Sequence, residues 1–84
     1  MNEQTLHDEL KEIIAEIIEV EDFADDANFV SELGVDSMLA LEIVARIERR
    51  YRVRIPEERF ADMQTLSAAL GIVSEVIQQQ TVAS

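Results

Sequence analysis

Apolar residues recur at Leu6, Leu10, Ile13, Ile14, Ile17 and Ile18, with acids and other polar residues filling most of the gaps. That spacing keeps one face apolar and predicts an amphipathic helix ending near Val20. Asn2 or Thr5 supplies its cap, and acids follow in the first turn. The period then breaks. Residues 21–36, "EDFADDANFVSELGVD", contain the turn formers Asp25, Asp26 and Asn28, with Gly34 suited to a turn before the next element. Phe23, Phe29, Val30 and Leu33 are expected to pin this long connection onto the core. Connections of this length with apolar anchors of their own are often functional.

A second helix is predicted from about Ser37 to Arg50. Ala40, Ile43, Val44, Ile47 and Tyr51 share one broad stripe, the expected core face. Met38, Leu41 and Ala45 share another arc, roughly a third of a turn away, with Ser37 at its edge. Two readings fit: a central helix buried all round, or an exposed docking patch beside Ser37. "RVRIPEERF" alternates briefly, but Pro56 argues for a break, with Glu57 and Glu58 opening a short helix that ends near Asp62. A last helix starts after Thr65 as cap and carries Leu66, Ala69, Leu70, Val73 and Val76 or Ile77 inward. Gly71 either weakens that helix or admits a close neighbour. Residues 1–2 and about 79–84 are expected to fray. The fold class is therefore all-α: a single domain over 1–84, with three main helices and one short one packed as a small bundle.

Charge narrows the partners. The net charge is −11. Residues 1–36 carry twelve acids against Lys11, whereas residues 37–84 carry six acids and six arginines. So acidic a body repels nucleic acid and anionic membranes and favours proteins with basic surfaces. Five arginines lie in "RIERRYRVR", residues 46–54, read as the solvated end of a helix and a loop. No segment is apolar enough to span a membrane and no signal peptide is visible, so the expected location is the cytoplasm, without membrane insertion. The chain has no cysteine.

Catalysis finds little support. A nucleophilic serine needs a base and an oxyanion site. The only histidine, His7, reads as an exposed residue of the first helix. "GVDSM" is not a hydrolase elbow. Calcium-loop spacing fails from both Asp22 and Asp26, leaving at most loose binding to Asp22, Asp25 and Asp26. No glycine loop cradles a phosphate, and a bundle this small is not expected to enclose a preformed pocket. The chain is not read as an enzyme. For Ser37 two roles remain, a helix cap or an attachment point at the electropositive start of a helix.

The stretch "FVSELGVDSMLALEIVARIERRYRVRIP" resembles the acyl carrier protein family. The motif appears as Leu33, Gly34, Asp36, Ser37, Met38 and Glu42, and the likeness extends to Ile55–Pro56, Thr65–Leu66, the first helix and the acidic loop. The resemblance implies that a phosphopantetheinyl transferase moves 4′-phosphopantetheine from coenzyme A to Ser37, and that the arm's terminal thiol then carries an acyl group as a thioester. It implies a cofactor-binding role for Ser37 and Asp36. It implies a partner face of Met38, Leu41, Glu42, Ala45 and Glu48 for acyl-loading and acyl-processing enzymes with basic surfaces. An acyl chain between the helices would meet Ile43, Ile47, Phe29, Met63 and Leu66. The expected protein is a discrete monomer.

Two departures matter. Leu39 and Ala40 stand where an acid is common, and Arg46, Arg49 and Arg50 occupy a usually acidic helix end. Those charges weaken docking on basic enzymes, so a dedicated fatty-acid or polyketide-type pathway is expected. The alternatives are an aminoacyl or peptidyl carrier and, in a different class, an unmodified helical interaction module.

Overall fold

The computed structural model describes the backbone of residues 2–82 and the side chains of residues 2–80. Helix α1 spans Glu3–Ile18, α2 Ser37–Tyr51 and α3 Leu66–Val82, with a 3-10 turn at Glu57–Asp62. No strand occurs among the described residues. The all-α expectation therefore holds, with three main helices and one short one.

Each boundary has a local cause. Asn2 caps α1, its side chain accepting the Thr5 N–H at 2.7 Å. α1 ends where Glu19 turns left-handed at φ 61° and donates its N–H to the Ala15 carbonyl. α2 ends the same way at Arg52, φ 55°. The Thr65 hydroxyl accepts the Ala68 N–H at 3.1 Å and opens α3, as expected.

α3 runs on to Val82, past the stop expected near residue 78. Gln80 supplies the reason. Its amide accepts the Arg54 N–H at 3.0 Å and donates to the Arg54 carbonyl at 2.7 Å, tying the end of α3 to the segment after α2. Residues 1, 83 and 84, also expected to fray, lie outside the described residues. Gly71 is exposed, and a Cβ built on it meets nothing within 4 Å, so it admits no close neighbour.

α1 packs against both α2 and α3. The fully buried side chains include Leu10, Ile14, Ile47, Leu66, Val73 and Val76. Burial of each stabilises the fold by on the order of 2 kcal/mol. Ile72 is buried as well, although the expected α3 stripe omitted it. No side-chain polar atom is buried without a partner among the described residues.

Candidate functional site at the start of α2

The approach to Ser37 is fixed from below. Gly34 takes a left-handed φ of 70°, which turns the chain at little steric cost. Val35 is buried, and its N–H reaches the Phe29 carbonyl at 2.8 Å. Asp36 then adopts extended backbone, and its carboxylate accepts the Leu39 N–H at 2.9 Å. Asp36 is therefore the cap. Ser37 is the first residue of the helix and is exposed. The cap reading of Ser37 is thereby replaced: its neighbour does that work, and the Ser37 hydroxyl is not needed for it.

Beside Ser37 lies an open apolar cavity of about 580 Å³. Phe29, Val35, Ile43, Val44, Phe60 and Met63 line it, and Ser37 stands on its edge. Asn28 and Gln64 add amides to the wall, 3.4 Å apart. The expectation of no preformed pocket was wrong. The connection 19–36, α2 and the segment from Phe60 to Gln64 each contribute to its lining, so three segments border a space that a simple bundle would fill. Ile43, Phe29 and Met63 line it as expected, but Ile47 and Leu66 do not. Both are completely buried in the core.

The outer face of α2 resolves the two open readings. Met38 is 80 % exposed and Leu41 58 %, and Glu42 and Ala45 are exposed beside them. The second apolar arc is a surface patch. Ala40, Glu48 and Val30 sit otherwise than expected. Ala40 is exposed and lines the cavity instead of the core, while Leu39 is half-buried against the core. Glu48 is half-buried and accepts the Ile55 N–H at 2.8 Å, so its carboxylate also serves the turn after α2. Val30, expected as an anchor, is 68 % exposed at the cavity.

His7 is not the free surface residue expected. Its ring nitrogens lie 2.9 Å from Asp8 and 2.8 Å from Asp25, bridging α1 to the connection. Hydrogen bonds to Asp8 and then to Asp25 raise its pKa above the ordinary histidine value. Lys11 reaches Asp22 at 2.9 Å and Asp25 at 3.5 Å. Its hydrogen bond lowers the Asp22 pKa and raises that of Lys11. The acids proposed for loose metal binding are thus largely answered by cations, and no metal-holding cluster occurs among the described residues. Both ring nitrogens of His7 are thus engaged by Asp8 and Asp25.

The arrangement suits a tethered phosphate. Two first-turn N–H groups of α2, those of Leu39 and Ala40, are taken by Asp36. The N–H groups of Ser37 and Met38 have no partner within a helix, and with the dipole they favour an anion at this end. The apolar wall behind Ser37 suits a hydrocarbon.

Comparison with known proteins agrees with this geometry. Residues 8–73 match the family model described as "Phosphopantetheine attachment site". The anthracycline acyl carrier protein DpsG of Streptomyces peucetius is 42 % identical over 71 residues, covering 80 % of this chain and 84 % of the relative. An acyl carrier protein of Streptomyces coelicolor is 33 % identical over 79 residues, covering 90 % and 86 %. The solution structure of oxytetracycline acyl carrier protein superposes with a TM-score of 0.64 at 28 % identity, covering 94 % of this chain and 84 % of that one. The chain belongs to the acyl carrier proteins, which are carriers rather than catalysts and bear a covalently attached phosphopantetheine.

Proposed function

We propose that Ser37 is the attachment point and that this carrier serves a dedicated acyl pathway of the polyketide or fatty-acid type. The observation that carries the reading is the division of labour at the start of α2: Asp36 caps the helix while Ser37, one residue on, stays exposed. The similarity to anthracycline and oxytetracycline carriers supports the polyketide side of the pathway.

When bound, the group supplies a thiol that this cysteine-free chain lacks and holds acyl cargo as a thioester. In the loading step the Ser37 oxygen would take the phosphorus that bears the pantetheine arm of coenzyme A: a phosphodiester would form at Ser37 as the phosphoanhydride bond breaks, with the adenosine bisphosphate as leaving group and the transferase accepting the serine proton. The chain's own residues position the product. Asp36 fixes the first turn, the free N–H groups of that turn would favour the phosphate, and the cavity wall of Phe29, Ile43 and Met63 would offer apolar shelter. Met38, Leu41, Glu42 and Ala45 form the face that processing enzymes meet.

The test is intact mass after incubation with coenzyme A and a broad-specificity phosphopantetheinyl transferase. Wild type gains one arm and Ser37→Ala gains none. An unmodified wild type, or a modified Ser37→Ala, overturns the attachment site. The pathway reading fails if this protein replaces a general fatty-acid carrier in cells as well as that carrier does.

A further inference from the structure

Met38, Glu42, Ala45 and Arg49 stand at i, i+4, i+7 and i+11 along α2. After about three turns Arg49 returns to nearly the same bearing as Met38, about 16 Å further along the axis. The arginines of this helix are not equivalent. Arg46 pairs with Glu16 at 3.3 Å and Arg50 contacts Glu9 at 3.7 Å, so both lean toward α1. Arg49 is exposed at the rim of the α1–α2 cleft and forms no ion pair among the described residues. Glu42 is exposed as well.

The face beside Ser37 therefore reads apolar, acidic, then basic along its length. A uniformly basic partner surface attracts Glu42 and repels Arg49; a uniformly acidic one does the reverse. A surface that satisfies both has an apolar hollow for Met38 and Leu41, a cation opposite Glu42 and a carboxylate opposite Arg49. Docking in the reversed direction sets like charges together, so the same pattern fixes orientation.

We propose that Arg49 is a specificity residue of this face, and that the acyl-processing enzyme docking on α2 presents a carboxylate to it while presenting a base to Glu42. The inference rests on the carrier reading, because the face lies beside Ser37 and the mouth of the cavity.

The test uses the arm-loaded carrier, with loading verified by mass and folding by circular dichroism. The probe is a malonyl-transferring enzyme of general fatty-acid synthesis with a basic docking surface. At low salt Arg49→Glu raises kcat/KM about tenfold and Arg49→Gln about threefold, whereas Arg46→Gln changes it less than about twofold. At about 0.5 M salt these differences largely vanish. Replacing the probe's base nearest position 49 by glutamate reverses the order, making wild type the better substrate. If both Arg49 variants stay within about twofold of wild type, or the swapped enzyme fails to reverse the order, the proposal is overturned. A failure of loading shows first in the mass and counts against Ser37 instead.

Discussion

Where α1 meets the 19–36 connection, His7 bonds Asp25 at 2.8 Å and Lys11 reaches both Asp22 and Asp25. The Lys11 ammonium also lies 5.4 Å from the centre of the Phe23 ring, and Asp25 accepts the Ser67 N–H through its backbone carbonyl. At the start of α2, Val30, Met38 and Leu41 face solvent above an open cavity. One region answers its side chains from within the chain; the other leaves them for a partner. The difference accounts for an opening in so small a protein. The connection is fastened at Asp25 by α1 and the start of α3, and again where the Phe29 N–H meets the Gln64 carbonyl at 2.8 Å, and the cavity lies between these ties and α2.

The strongest way to break this contrast is to compare a wall residue with a mouth residue. Phe29 is buried and meets Phe23 edge-on at 6.3 Å between ring centres. Phe29→Ala is expected to lower unfolding stability by about 3 kcal/mol in urea denaturation. Leu41→Gln is expected to change it by less than about 0.5 kcal/mol, because Leu41 is largely exposed. Similar losses at the two sites would mean that Leu41 belongs to the core after all.

A smaller effect sharpens the division between Asp36 and Ser37. Asp36→Ala removes the cap of α2 and is expected to cost about 1 kcal/mol, while Asp36→Asn retains it and costs a few tenths. Ser37→Ala leaves that hydrogen bond intact and is expected to unfold close to wild type. A Ser37→Ala loss equal to that of Asp36→Ala would return the capping role to the serine.

The smallest expected effect is electrostatic and concerns the fastened region. The folded-state pKa of His7 is raised by Asp8 and then by Asp25. Its contribution to stability is therefore fully present below the unfolded value of about 6.5 and is lost as pH rises through the folded value. In urea melts, His7→Gln is expected to fall furthest below wild type near pH 5.5, roughly one unit under that value, with the gap narrowing at alkaline pH. A gap that does not vary with pH would show that the imidazole acts here by packing alone.

Much of this molecule was legible from periodicity. The apolar spacing marked α1 and α2, Pro56 with two following acids marked the 3-10 turn, and Thr65 marked the start of α3. Ser37 was legible as a candidate because its motif is local. Glu48 was not, because its role depends on Ile55, which the left-handed turn at Arg52 brings back to it. His7 looked idle because Asp25, its distant partner, lies in a connection with no period to read. The end of α3 was missed for a related reason: three glutamines suggest fraying until Arg54 arrives to pair with one of them.

The sequence by itself determined the helices, the acidic character and the serine at the head of α2, because each depends on neighbours within a few turns. Only the tertiary structure decided that Asp36 rather than Ser37 caps, that the second apolar arc stays in solvent, and that a cavity opens behind it. Exposure is a property of what else packs nearby. Here buried Phe29 and Val35, and the bond from the Phe29 N–H to the Gln64 carbonyl, set the connection around the cavity, and no spacing along the chain encodes that arrangement.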